Sequence, residues 1–152
     1  KFIRQLSCNI QRKDAMIHSG LLFAGANNAW NGESVPEGID DGILTADEIS
    51  RLDLDRTKLV VLSACDTALG SISAEGVYGI QRALKQAGVG EILMSLWKVD
   101  DEATKILMTK FYQLLLDGYS SREALKGAQQ FLASKGGEFS APIYWGAFEI
   151  MD

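Results

Sequence analysis

The run Lys58-Leu59-Val60-Val61-Leu62-Ser63-Ala64-Cys65-Asp66-Thr67 constrains this chain more than any other stretch. It is an apolar segment of strand length that halts at a cysteine and passes into acidic and hydroxylic residues. In an open α/β sheet, reacting groups gather outside the carboxyl ends of the strands. A thiol placed there is held by a rigid strand while its sulfur faces a cleft. Position alone leaves two roles open for Cys65: a nucleophile, or the buried structural cysteine common in intracellular proteins.

A length of 152 residues fits a single domain, large enough to bury most of its apolar surface. Hydrophobic residues make up 47% and charged residues 23%, the balance of an ordinary soluble protein. The apolar runs fall far short of the roughly 20 residues a bilayer span requires, so no membrane association is expected. Residues 1–13 form a basic, polar lead-in with no signal-peptide core. The chain opens on Lys1 rather than methionine, which fits a fragment or a processed chain.

The net charge of −5 and the dispersed basic residues argue against nucleic-acid binding, since Arg4, Arg12 and Lys13 make only a small cluster. Cys8 and Cys65 do not resemble a secreted disulfide framework, so a reducing cytosol is expected. One histidine, His18, and two distant cysteines offer no metal-ligand spacing, and no metal or cofactor is expected.

Strands and helices alternate along the chain. Residues 21–24 read as a short strand, followed by a long Gly/Asn-rich loop over 25–41. Loops of that length are usually functional or mobile. Thr45-Ala46-Asp47-Glu48 has capping-box spacing and opens a helix to about Leu52. Val77, Ile80, Leu84 and Ala87 recur at helical spacing before Gly88, a natural stop. Residues 91–97 read as a second buried strand. Asp100 then caps a helix whose core face is Ala103, Ile106, Leu107, Phe111, Leu114 and Leu115, with its Met and aromatic residues in the core and Gly118 at its end. Ser120-Ser121-Arg122-Glu123 starts another helix through about Ser134, and residues 144–151 read as a last strand. This alternation predicts an α/β fold with a mostly parallel sheet and helices on both faces.

Several motifs together resemble a known family, the CHAT domain. They are Ser63-Ala64-Cys65-Asp66-Thr67-Ala68-Leu69-Gly70, Glu75-Gly76-Val77, Gln81-Arg82-Ala83-Leu84, Ser95-Leu96-Trp97-Lys98-Val99-Asp100-Asp101 and Tyr144-Trp145-Gly146-Ala147-Phe148. Upstream, Ser19-Gly20-Leu21, Ala24-Gly25-Ala26-Asn27-Asn28 and Asp41-Gly42-Ile43-Leu44-Thr45-Ala46 fit the same pattern. CHAT domains belong with the caspase-like cysteine peptidases, alongside separase. The resemblance runs in order over residues 14–152 and implies a caspase-like fold that hydrolyses peptide bonds with a Cys/His dyad.

Cys65 falls on the family's nucleophile, where a thiolate needs an imidazole partner and a backbone oxyanion hole. The Asp66-Thr67 turn and Gly70 would shape the cleft and contact substrate. The family's histidine stands in a His-Gly pair upstream of the Ser-Gly-Leu segment. Here His18 precedes Ser19 and falls where relatives carry an ordinary residue. The resemblance therefore implies a partial peptidase domain, incomplete on its N-terminal side. The other half, carrying the histidine, would be the partner, and tetratricopeptide-type repeats are a further companion.

A basic residue before the cut bond is implied by the separase-like Trp97-Lys98-Val99-Asp100-Asp101 stretch. In that stretch Asp101 matches the acid of a basic-specificity pocket and Trp97 a cleft wall or core residue. Asp100 reads better as a helix cap, and Asp101 serves equally well as a dipole-complementing acid. The alternative for the whole chain is a non-catalytic CHAT-derived interaction module, motivated by the missing base. A small-molecule-binding domain built on the 25–41 loop has no phosphate-loop spacing to support it.

Overall fold

A strand does form over Leu59–Leu62 in the computed structural model, which describes residues 19–27, 31, 32, 34, 40–62 and 74–152, without the side chains of 74–78. In chain order the elements are β1 (Gly20–Leu22), β2 (Ile43–Thr45), α1 (Ala46–Ile49), β3 (Leu59–Leu62), α2 (Ala74–Gln86), β4 (Glu91–Ser95), α3 (Asp101–Leu116), α4 (Ser121–Ser134), a 3-10 turn (Glu138–Ser140), α5 (Pro142–Trp145) and β5 (Phe148–Met151). They fall into two units, one within Lys1–Thr57 and Asp66–Val89, the other within Lys58–Cys65 and Gly90–Asp152.

In the first unit β1 pairs antiparallel with β2, Gly20 opposite Thr45. A Cβ on Gly20 would stand 2.6 Å from the carbonyl oxygen of Leu44, so only glycine permits this approach. The capping box expected at Thr45 is present: Thr45 Oγ1 accepts from the Glu48 amide at 3.2 Å. In return the Glu48 carboxylate accepts from the Thr45 amide at 2.8 Å. Helix α1 stops at Ile49, short of Leu52, because the amides of Arg51 and Leu52 bond only three residues back, to Glu48 and Ile49. That is the tight geometry of a fraying helix end.

Along α2, the helix-spaced residues Ile80, Ala83 and Leu84 are buried, as is Ala87 just beyond its end. Gly88 stops the helix at φ +97°, and the Val89 amide closes back on the Leu84 carbonyl at 3.1 Å. This is the left-handed exit that glycine makes without a Cβ penalty.

The second unit holds a three-stranded sheet in the order β3-β4-β5. Strands β3 and β4 run parallel, Leu62 opposite Met94. Strand β5 runs antiparallel to β4, Phe148 opposite Ser95. The sheets are therefore of mixed orientation, not mostly parallel as the alternation predicts. The long helices between the strands explain this. Among the described residues one, α2, stands between β3 and β4 and returns the chain for a parallel strand. Two long helices, α3 and α4, followed by the 3-10 turn and the short α5, separate β4 from β5. Joined by the short loop 117–120, α3 and α4 form a helical hairpin that delivers β5 in the opposite direction.

Helices α3 and α4 cover one face of this sheet. Leu93, Phe148 and Ile150 pack there with Val99, Ala103, Leu107, Phe111, Ala124, Leu125, Ala128 and Leu132. Burying a side chain such as Phe111 or Leu107 contributes about 1.5–3 kcal/mol. Ile92 and Met94, at the alternate positions of β4, are buried too. Gly127 admits the close approach of the two helices, since a Cβ would stand 2.7 Å from Leu114 Cδ1.

The expected starts of α3 and α4 are observed. Asp100 caps the first, and the second opens on a complete Ser120/Glu123 capping box. Three details differ from expectation. Tyr112 of α3 is exposed rather than core, because it lies one position beyond the buried stripe of Ala103, Leu107 and Phe111. Strand β4 ends at Ser95 instead of Trp97. The last strand begins only at Phe148, because Pro142 at a helix start winds residues 142–145 into α5.

Candidate functional site

The segment leaving β4 builds one side of the candidate site. Beyond Ser95 the Leu96 amide donates to the Ala147 carbonyl at 2.9 Å, clamping the strand exit to the chain that enters β5. Trp97 follows, 39% exposed. Its indole N–H donates to the Ile143 carbonyl oxygen at 3.0 Å, so the ring is held against α5. The far edge of that ring comes within 3.9 Å of where a Cβ on Gly146 would be. Val99 turns inward and anchors the segment in the core.

Asp100 is committed to the helix. Its Oδ1 accepts from the amides of Glu102 and Ala103 at 3.0 and 2.9 Å. Asp101 stands in the first turn of α3, exposed to solvent, where its charge complements the helix dipole. An exposed carboxylate beside a strand exit also has the chemistry to meet a guanidinium or ammonium group.

Around α5 the side chains are tied down by polar contacts. Tyr144 donates its hydroxyl to Glu138 Oε1 at 3.1 Å and stacks edge-on to Phe139 with ring centres 5.3 Å apart. The hydrogen bond to Glu138 pushes the Tyr144 hydroxyl above its usual pKa, with burial and the charges of Glu138 and Asp100 adding to it. Trp145 donates its indole N–H to the Ser140 carbonyl at 3.0 Å. Gln129 of α4 donates to the carbonyls of Trp145 and Phe148 at 3.2 and 3.0 Å. The result is a fixed wall beside Trp97, with Ile143 59% exposed on it.

Trp97 and Asp101 thus belong to one continuous exit at the carboxyl end of β4. Cys65, Asp66, Cys8 and His18 lie outside the described residues. Ile143 escapes a sequence reading, and Tyr144, though part of a family motif, reads as strand, because a buried strand and a short proline-led helix share the same apolar composition. Pro142 was the available signal. Among the described residues no cluster of His, Cys, Asp or Glu is arranged to hold a metal ion. No helix among them is long and apolar enough to cross a membrane.

Comparison with known proteins agrees with the motif pattern. Tetratricopeptide repeat protein 28 of Homo sapiens is 33% identical to this chain over 127 residues, which is 82% of the chain and 5% of that protein. Its counterpart of the same name in Mus musculus is 35% identical over 109 residues, 72% of the chain and 4% of that protein. The chain therefore spans only a small part of the curated relatives it matches. The family model of the CHAT domain matches residues 6–152, from the basic lead-in through β5, and the chain belongs to the CHAT domain family.

Proposed function

We propose that this CHAT domain works as part of a caspase-like cysteine endopeptidase, with Cys65 as nucleophile and a histidine outside these 152 residues as its base. The observation that carries the reading is the parallel pairing of β3 and β4. Because they run parallel in register, the chain leaves both at the same edge of the sheet. Cys65 follows Leu62 by three residues, and Trp97 follows Leu62's partner Met94 by three. A nucleophile and a substrate wall built from neighbouring strand exits is the arrangement open α/β sheets favour.

In the reaction the Cys65 thiolate attacks the scissile carbonyl carbon, forming a C–S bond as the carbonyl electrons move to oxygen. Backbone amides stabilise that oxyanion. The imidazolium donates its proton to the leaving amine as the C–N bond breaks. Water, deprotonated by the same imidazole, then attacks the thioester and releases the acid and the thiol. In this reading Asp66 and Trp97 contact the substrate, and the Asp101 carboxylate favours Lys or Arg before the cut bond. Tetratricopeptide-type repeats accompany the domain, in keeping with the relatives' name.

The test is hydrolysis of fluorogenic peptides by the complete protein, with and without Cys65→Ala. Turnover lost in the variant supports the reading, and turnover retained in it contradicts the reading. A second reading, a non-catalytic interaction module, is favoured by one sequence observation: the chain's single histidine precedes Ser19, not glycine. Under that reading neither form of the complete protein hydrolyses any peptide.

A further inference from the structure

A groove of about 300 Å³ runs along α3 and α4, lined by Lys105, Ile106, Thr109, Lys110, Gln113, Phe131 and Lys135. Three of these residues are lysines and none is acidic, in a chain whose net charge is −5. The groove's sign thus opposes that of the molecule carrying it. Phe131, 41% exposed, presents an aromatic face there. The Lys110 ammonium sits 5.7 Å from the centre of that ring, a cation–π distance. Among the described residues Glu102 is the acid paired with the cluster, its exposed i,i+3 pair with Lys105 spanning 3.4 Å. Such a pair is weak and yields readily to a better partner.

We propose that this groove docks an acidic segment of a partner protein, with an aromatic or long aliphatic side chain set against Phe131 and carboxylates paired to Lys110 and Lys135. Charge complementarity selects the occupant. Three ammonium groups around an apolar floor match a peptide that alternates carboxylates with an apolar anchor. A flat anionic membrane matches less well, because the chain's negative charge opposes approach to such a surface. The groove lies on the helical hairpin and uses none of the residues assigned to the peptidase reading, so it stands whether or not the domain hydrolyses peptides.

The probe is a fluorescein-labelled peptide with a central phenylalanine flanked on both sides by glutamates, titrated onto the complete protein and followed by anisotropy. Saturable binding that weakens as salt is raised is expected. The double variant Lys110→Glu/Lys135→Glu should weaken it at least about tenfold. Phe131→Gln, which keeps every charge, should weaken it several-fold. Should the double variant lose its cooperative melt, the Phe131→Gln result and the salt series decide. Three results would overturn the proposal. They are no saturable binding, equal binding of the same peptide with glutamines for glutamates, and binding only to phosphatidylserine vesicles.

Discussion

The indole N–H of Trp97 donates to the carbonyl oxygen of Ile143 at 3.0 Å, across 46 residues of sequence. That bond and the Leu96–Ala147 backbone bond fasten the exit of β4 to the approach of β5. The wall beside the candidate cleft is therefore set by a long-range contact. Trp97→Phe keeps an aromatic ring and removes the donor. It should cost about 1 kcal/mol of stability, the worth of one hydrogen bond, in urea unfolding. No loss would mean that water replaces the donor at no cost.

Gly88→Ala should be far more damaging than its size suggests. The residue sits at φ +97°, and a Cβ there would stand 1.9 Å from Asp55 Oδ1 and 2.9 Å from Asp55 Cα. The left-handed backbone alone costs roughly 1–2 kcal/mol for a side-chain-bearing residue. The backbone clash adds to that and cannot be relieved by rotating Asp55. A loss above about 2 kcal/mol in urea unfolding is expected, whereas Gly136→Ala, also left-handed but with open space around it, should cost less.

These two sites show what sequence could and could not reveal. Both capping boxes, the Asp100 cap and the Gly88 stop depend on residues within a turn of one another, so their spacing is legible. The direction of β5 is not local. It depends on the hairpin of long helices, α3 and α4, that precedes it, and an alternation of strands and helices carries that information poorly. The Trp97–Ile143 contact joins residues that no periodicity links. The motif around Cys65 identified the family, but Cys65 and Asp66 lie outside the described residues.

Acid should weaken the domain partly through its capping boxes. Hydrogen bonds from the backbone and hydroxyl of Thr45 lower the Glu48 pKa, and those from Ser120 lower that of Glu123. A carboxyl depressed in the folded state adds stability above its unfolded value, about 4.3, and loses it as pH falls through the folded value. Glu123→Gln should therefore be less stable than wild type at pH 7, with the gap closing in acid. A gap that widens on acidification would contradict this assignment.

Asp100 and Asp101 should separate by function. Asp100→Ala removes a cap and should cost about 1 kcal/mol of stability. Asp101→Asn should leave stability nearly unchanged. On the complete protein it should lower kcat/KM for Lys- and Arg-containing peptides by roughly 2 kcal/mol, sparing neutral ones. Stability lost without selectivity lost would make Asp101 a helix residue only.

His18→Ala in the complete protein should leave turnover within a few-fold, because His18 stands before Ser19 and outside the family's His-Gly pair. A loss beyond about a thousandfold would identify His18 as the base.

The central claim, that Cys65 is a nucleophile, is tested most directly by its reactivity beside the chain's other cysteine, Cys8. Limiting iodoacetamide is added to the complete native protein, and the two tryptic peptides are followed by mass spectrometry over time. Reactivity follows the thiolate fraction and access. Cys65 should be alkylated much faster than Cys8, and peptide hydrolysis should disappear in step with its labelling. Equal labelling rates, or hydrolysis that survives full modification of Cys65, would contradict the claim.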